Sequence, residues 1–136
     1  MLGVDYGQMR TGVATCDPGG LIATGIKTLT GVKTLIELSQ HIIHIGREHD
    51  VCRIVLGLPL NMDDSEGPKC LVVRELAQLI EQGGYPVILW DERCTTVEAQ
   101  EIMQQTNTKR KKRKNNIDAL AAQILLQDYL DNGEKQ

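Results

Sequence analysis

The chain has 136 residues, of which 41% are hydrophobic and 24% charged, as in a folded single domain rather than a disordered or fibrous protein. No apolar run approaches the ~20 residues that span a bilayer, and Asp5 interrupts the N-terminal run too early for a signal peptide. The four cysteines show no Cys-x-x-Cys spacing, which favours reduced thiols over a zinc site. We therefore expect one cytoplasmic domain over residues 1–136, with no membrane segment.

The first thirty residues indicate three consecutive strands. Runs rich in β-forming residues occupy 1–4, 11–16 and 21–28, and the turn sequence Asp17-Pro18-Gly19-Gly20 separates the last two. Because the connections are short, we expect these strands to form an antiparallel meander.

The rest of the chain alternates helices with strands. Apolar residues at helical spacing start at Leu35, at Val73 and at Ile117, and the capping box Thr95 to Glu98 starts another helix, ending near residue 105. The continuous apolar runs 51–58 and 86–90 indicate buried parallel strands. The prediction is an α/β fold: a mixed five-stranded sheet, with antiparallel β1-β2-β3 followed by parallel β4 and β5, flanked by helices.

Acidic residues occur where predicted strands end or a helix begins. Asp5 ends the first strand, Asp91 and Glu92 end the last, and Asp118 opens the final helix. Ligands of α/β proteins gather beyond the carboxyl ends of parallel strands. Carboxylates brought together there would repel one another unless they bound Mg²⁺ or Mn²⁺, and two such ions can promote phosphodiester hydrolysis.

Each acid also has a simpler explanation. Asp118 would interact favourably with the dipole of its helix, and Asp91 and Glu92 could be solvated residues at the end of a strand. Asp5 is harder to explain in this way, because a charge within an apolar run is costly without a partner. Gly7, two residues later, could allow the backbone to approach a phosphate closely.

The basic residues are unevenly distributed. The net charge is −3, yet six consecutive cations, Lys109, Arg110, Lys111, Lys112, Arg113 and Lys114, lie in a predicted loop at about 106–116. Such a run suits a nucleic-acid backbone, although it could equally be a solvated loop. Arg10 and Arg93 are further candidates for phosphate contacts, or for pairing with a nearby carboxylate.

Five segments, spread over nearly the whole chain, carry a resemblance: Gly3-Val4-Asp5-Tyr6-Gly7, Arg10-Thr11-Gly12-Val13-Ala14, and residues 55–63, 91–99 and 117–122. Together they resemble the YqgF family, which is related to the RuvC-type Holliday-junction resolvases of the ribonuclease-H-like superfamily. The resemblance implies a ribonuclease-H-like fold and an acidic site at Asp5, Asp91-Glu92 and Asp118. It also implies hydrolysis of structured nucleic acid, either the 5′ end of a 16S ribosomal RNA precursor or a Holliday junction.

Two alternatives to a nuclease remain at this point. A non-catalytic RNA-binding ribosome-assembly factor would need the basic loop but not the acids. A nucleotide-binding domain of the sugar-kinase and actin class also carries Asp-x-Gly on its first strand, but it needs two such domains and this chain has room for one. A junction has two symmetric cuts, so a resolvase would suit a homodimer.

The identity of the second acid is open from the residues alone. In most ribonuclease-H-like nucleases it lies on the strand beside the first, whereas here the strand ending at residues 57–59 lacks an acid. Asp91 and Glu92 follow the next strand, which places Asp5 and Asp91 roughly 10 Å apart at the backbone. Alternation along the strand directs only one of the pair at the site, and the longer reach of Glu92 favours it.

Overall fold

The computed structural model describes residues 1–61, 63, 65–91 and 117–133, with only the backbone of 117 and 118. Its five strands form one sheet in the order β3-β2-β1-β4-β5, which confirms the predicted fold class. Strands β1, β2 and β3 pair antiparallel, while β4 pairs parallel with both β1 and β5. The strands are β1 (Leu2–Asp5), β2 (Arg10–Cys16), β3 (Ala23–Thr30), β4 (Ile54–Leu58) and β5 (Val87–Asp91).

Three helices flank the sheet in the described part of the chain: α1 (Leu35–Glu48), α2 (Pro68–Gln82) and α3 (Ile117–Asp128), which continues into a π-helical turn (Tyr129–Gly133). The Thr34 side chain caps α1 by accepting a hydrogen bond from the backbone N–H of Glu37 at 3.1 Å. Pro68 occupies the first turn of α2, where its missing N–H costs nothing. The helix predicted at 95–105 and the loop at 106–116 lie outside the described residues.

The sheet separates two layers of core. Leu2 and Val4 of β1 and Leu56 of β4 face α1 and α2 in the larger cluster. Ala14 of β2 and Val55 of β4 face α3 in the smaller one. Since successive strand residues point to opposite faces, each strand position can be assigned to the α1/α2 face or to the α3 face.

Two strands begin two or more residues later than predicted. Strand β4 begins at Ile54 rather than at 51, because the backbone N–H of Val51 bonds to the carbonyl oxygen of Gly46 and continues the end of α1. Strand β3 begins at Ala23 rather than at 21, because the Asp17 carboxylate accepts hydrogen bonds from the N–H groups of Leu21 and Ile22 at 2.8 and 2.7 Å. Within the described residues, no helix is long and apolar enough to cross a membrane.

Candidate active site

Asp5 is the last residue of β1, in the middle of the sheet, and it is half-buried. It pairs with Gly12 of β2, while Val4 before it is fully buried on the α1/α2 face. Strand alternation therefore puts Asp5 on the α3 face. The carboxyl ends of β1, β4 and β5 are together at this edge, as the sequence predicted.

Asp91 lies at the same edge but on the other face. It is the last residue of β5, opposite Leu58 of β4, and Leu58 belongs to the core beneath α1 and α2. Leu89, two residues before Asp91, packs against that same core. Asp5 and Asp91 therefore belong to opposite faces of the sheet, two strands apart. Glu92 lies outside the described residues.

Helix α3 packs unusually close to the sheet. A Cβ placed on Gly3 of β1 would stand 2.7 Å from Leu126 Cβ and 3.3 Å from the carbonyl oxygen of Ala122. A Cβ on Gly25 of β3 would stand 2.7 Å from the carbonyl oxygen of Ala119. The two glycines thus allow the helix to lie directly on the strands.

Two glutamines fix the lengthwise position of α3 on the sheet. Gln123 accepts a hydrogen bond from the backbone N–H of Gly25 at 3.0 Å, and Gln127, one turn later, accepts one from Ala23 at 2.9 Å. The Gln127 amide also donates to the carbonyl oxygen of Leu21 at 2.9 Å. The earlier residue of α3, Gln123, thus bonds to the later residue of β3, Gly25, so the helix runs opposite to β3. Strand β3 has the same direction as β1, because both pair antiparallel with β2. The first turn of α3 therefore lies towards the end of the sheet that carries Asp5.

This direction determines where Asp118 lies. Its backbone forms the second residue of α3, at i−4 from Ala122 and i−8 from Leu126. Residues at this spacing occupy one face of a helix, and Ala122 and Leu126 are the ones that contact Gly3. The helix face that contacts β1 therefore includes Asp118, which lies one turn before Ala122 and closer to the Asp5 end of the sheet.

The far end of α3 is attached to β5 through a buried carboxylate. Asp128 is 4% exposed and accepts hydrogen bonds at 2.9 Å from the indole N–H of Trp90 and from the Asn132 side chain. The Trp90 ring also meets Tyr129 edge-to-face, with ring centroids 5.3 Å apart. Because Trp90 directly precedes Asp91, these contacts link the acidic end of β5 to the helix.

The turn after Asp5 has a structural requirement of its own. A Cβ on Gly7 would overlap the carbonyl oxygen of Arg10, so the turn needs glycine at this position whether or not a phosphate approaches it. The hydroxyl of the buried Thr11 donates to the Gly7 carbonyl oxygen at 3.4 Å. Arg10 opens β2, two residues before Gly12, and therefore lies on the face of Asp5. Its side chain is exposed and forms no ion pair with any described residue.

The described residues alone do not assemble a metal site. They contain no group of three His, Cys, Asp or Glu side chains able to hold an ion. A site at Asp5 would thus depend on the side chains of Asp118 and of Glu92, which are not described. The predicted phosphate contacts Arg93 and Lys109 to Lys114 also lie outside the described residues.

Sequence reasoning did not single out Gly3, Gly25, Gln123, Gln127 and Asp128. Two signals in the sequence could have identified some of them. Gln123 and Gln127 recur at i, i+4 on an otherwise apolar helix, and Asp128 ends that helix next to Tyr129. The glycines of β1 and β3 carry no such signal without knowledge of which helix crosses them.

Solved structures share this architecture. The Thermus thermophilus RuvC structure in complex with Holliday junction substrate superposes with a TM-score of 0.59 and 11% identity, covering 98% of this chain and 96% of that one. The fowlpox virus resolvase bound to Holliday junction DNA gives a TM-score of 0.57 and 13% identity, covering 96% of this chain and 95% of that one. The fold is thus the ribonuclease-H-like fold of these resolvases.

Sequence relatives identify the family. The model of the family described as "RuvX: Holliday junction resolvase" matches residues 1–132. A protein of Syntrophus aciditrophicus named "Putative pre-16S rRNA nuclease" is 42% identical, covering 96% of this chain and 87% of that protein. One of the same name from Lachnospira eligens is 40% identical, with 99% of each chain covered. The chain belongs to the RuvX family, the YqgF family that its motifs resemble, and its relatives support a nuclease-type hydrolase.

Proposed function

We propose that this protein is a divalent-metal-dependent endonuclease that cuts structured nucleic acid at the Asp5 edge of the sheet. The observation that carries the proposal is the close contact between α3 and β1 at Gly3, because it directs the helical row ending in Asp118 towards Asp5. This contact supports a site at which two acids more than a hundred residues apart in the sequence lie together. We place this activity in the cytoplasm.

Of Asp91 and Glu92, Glu92 is the better candidate for the acid that joins Asp5 and Asp118. Asp91 belongs to the face of α1 and α2, away from Asp5. Strand alternation reverses the face at each residue, so a strand continued by one position would direct residue 92 to the face of Asp5. The proposed ligand set is Asp5, Glu92 and Asp118, with Asp91 at the edge of the site.

Oxygen ligands from three carboxylates suit Mg²⁺ or Mn²⁺. Such ions, when bound, would supply the activation of a water and the stabilisation of the leaving oxygen of a phosphodiester. In this proposal Asp5 comes from the middle strand, Asp118 from the helix packed against it, and Glu92 follows β5. Arg10, exposed on the face of Asp5, is placed to contact a neighbouring phosphate of the substrate.

The proposed substrate is the 16S ribosomal RNA precursor, processed at its 5′ end. Relatives about 40% identical over nearly the whole chain bear the name "Putative pre-16S rRNA nuclease", which supports RNA over DNA. The cations at 109–114 and Arg93 precede or adjoin the proposed acids in sequence, so they could hold the phosphate backbone leading to the site.

A Holliday-junction resolvase is the second candidate. The description of the family and the junction complexes among the structural neighbours favour it. Two symmetric cuts would then require a homodimer, whereas trimming of a precursor end would not.

Cleavage by wild-type protein and by Asp5→Asn, with Mg²⁺ or Mn²⁺, on a ribosomal RNA precursor and on a four-way junction tests the proposal. We expect divalent-dependent cutting of the RNA by the wild type and loss of cutting by Asp5→Asn without loss of folding. Glu75→Gln, which makes the same change at an exposed site on α2, is the matched control and should cut normally.

Other outcomes would identify the alternatives. Preferential cutting of the junction would make the protein a resolvase. Salt-sensitive RNA binding that EDTA does not alter, with no cutting of either substrate, would make it a non-catalytic binding factor. Equal cutting by wild type and Asp5→Asn would refute the proposed site.

A further inference from the structure

A pocket of about 170 Å³ lies on the α1/α2 face of the sheet, near its Asp5 end, between the turn that joins β1 to β2 and the connection from β3 to α1. Tyr6, the residue after Asp5, forms part of its wall. Consecutive Cα atoms are about 3.8 Å apart, so the pocket begins one residue from the acid. Asp5 belongs to the α3 face and Tyr6 packs against the core on the α1/α2 face, so the pocket lies across the sheet edge from the acid.

The pocket is lined by both apolar and polar side chains. Tyr6 and Leu35 provide half-buried apolar surface, while Gln8, Lys33 and Thr34 provide an amide, an ammonium group and a hydroxyl. Among the described residues, no aspartate or glutamate lines the pocket. Flat apolar walls with hydrogen-bonding groups at the rim suit a nucleobase, and a lining with a cation and without acids suits its attached phosphate.

Met9 is an exposed apolar residue in the lining of this pocket. Its side chain is 80% exposed, the highest value among the large apolar residues of the described part, and it lines the pocket. A methionine side chain is flexible and polarisable, and it makes favourable contacts with aromatic rings of varied shape. Its position would allow it to cover a base held against Tyr6.

We propose that this pocket holds one unpaired base of the nucleic-acid substrate, from the nucleotide next to the bond that is cut. The inference rests on the proposed function, since it takes Asp5 as the position of that bond. The enzyme would then select sites where a base is already unpaired, because extruding a paired base costs a few kcal/mol. Selection would depend on an unpaired base and not on its identity, since every base offers a flat face for stacking.

Substrates that lack one base test this assignment. An abasic nucleotide is placed in turn at each position flanking the cut of an otherwise constant RNA. We expect one position at which the wild type loses kcat/KM by roughly 5- to 150-fold, the range that base stacking on an aromatic ring supplies. Met9→Ser and Tyr6→Leu should cut the intact RNA more slowly and lose most of this sensitivity to the missing base.

Leu71→Ser is the matched control for Met9→Ser. Leu71 is 66% exposed on α2 and does not line the pocket. We expect this variant to keep the sensitivity of the wild type. Because Met9 is exposed, its replacement should leave folding intact even where Tyr6→Leu does not. An abasic effect of the same size in Met9→Ser and in the wild type would overturn the assignment.

A binding measurement separates this inference from the proposed function. The same RNAs carry the fluorescent base 2-aminopurine in place of the base removed, and they are bound to Asp5→Asn protein. Quenching at one position would support the pocket if it were relieved when Met9→Ser or Tyr6→Leu was introduced into the Asp5→Asn protein. This result would hold even if no protein cut RNA. Unchanged fluorescence at every position in a saturated complex would refute the pocket alone, whereas no binding at all would refute the proposed function together with it.

Discussion

Leu126 of α3 lies directly on Gly3 of β1, so close that a Cβ on Gly3 would stand 2.7 Å from Leu126 Cβ. Real Cβ atoms are essentially never this close to a neighbour, so the helix could not keep its position over any other residue. The same helical row leads to Asp118, one turn beyond Ala122. The spacing between helix and strand is therefore coupled to the distance between two proposed ligands.

Gly3→Ala should consequently affect both stability and activity. Overpacking of a tight contact costs about 1–3 kcal/mol, and relief of the clash requires α3 to move away from β1. We expect urea denaturation to show this loss, and cleavage to fall more than the folded fraction does. Gly67→Ala is the control for cleavage, because a Cβ there meets only the Asn61 side chain, at 3.6 Å, although loss of glycine at the N-cap of α2 itself costs some stability. Wild-type stability of Gly3→Ala would contradict the close packing.

Two glutamines should protect two particular backbone amides of β3. Gln123 accepts from Gly25 and Gln127 from Ala23. Gln123→Ala should accelerate hydrogen exchange mainly at Gly25, and Gln127→Ala mainly at Ala23, each with a loss of roughly 1 kcal/mol. Exchange measured residue by residue by NMR checks this, with exposed Gln40→Ala as the control. Equal acceleration along all of β3 would indicate general loosening of the helix instead.

The order and direction of the strands could be predicted because their causes are local. Short turns force β1, β2 and β3 to pair antiparallel, and the apolar runs of β4 and β5 separated by α2 require parallel pairing. Even so, the start of β3 was two residues wrong. Leu21 and Ile22 have the composition of a strand, but the Asp17 carboxylate holds their N–H groups in the turn.

The site could be predicted only to the level of the sheet edge. The ends of β1 and β5 were correctly expected at one edge. The face on which Asp91 lies, however, depends on the strand register, because a shift of one residue would move it to the other face, and the pairing with Leu58 sets that register. Likewise, the contact of Gly3 with Leu126 joins segments over a hundred residues apart. No local pattern reports such a contact.

Asp128 should contribute to stability through the groups it satisfies. With Asp128→Ala, the indole N–H of Trp90 and the Asn132 amide lose their buried acceptor, at a cost of about 1–3 kcal/mol. Asp128→Asn retains an acceptor oxygen and should lose less. Denaturation followed by the fluorescence of Trp90, the only tryptophan, measures both variants. Equal stability of Asp128→Ala and the wild type would show that these bonds are not formed.

The hairpin turn between β2 and β3 should be sensitive to acid. Hydrogen bonds from the backbone N–H groups of Ile22 and Leu21 lower the pKa of Asp17 below its ordinary value of 3.8. A lowered pKa in the folded state means that ionised Asp17 stabilises the fold above about pH 3.8, and that this stabilisation is lost as the pH falls through the lowered value.

Asp17→Asn, which resembles the protonated acid, should therefore unfold at a lower urea concentration than the wild type at pH 7, and the difference should shrink below pH 3.8. Glu66 makes a useful comparison, since a side-chain hydrogen bond from Arg74, within an ion pair, lowers its pKa in place of backbone bonds. Salt should weaken the contribution of Glu66 more than that of Asp17, because screening acts on the exposed ion pair. A difference between Asp17→Asn and wild type that stayed constant down to pH 2 would contradict this.

The two adjacent acids at the end of β5 should differ sharply in importance. Asp91 pairs with Leu58 and belongs to the α1/α2 face, opposite that of Asp5. We therefore expect Asp91→Asn to retain cleavage within about tenfold of wild type, because a charge on the far face acts only at a distance. Glu92→Gln should lower cleavage by at least about 100-fold, as expected when a ligand of an ion worth several kcal/mol is lost.

Mn²⁺ binding followed by calorimetry distinguishes a ligand from a residue that only orders the chain. Glu92→Gln and Asp5→Asn should both weaken the binding, whereas Asp91→Asn should leave it nearly unchanged. The opposite result, with Asp91→Asn inactive and Glu92→Gln active, would mean that Asp91 reaches the site around the end of β5. The strand alternation that assigns Asp91 to the other face would then not decide which acid binds the ion.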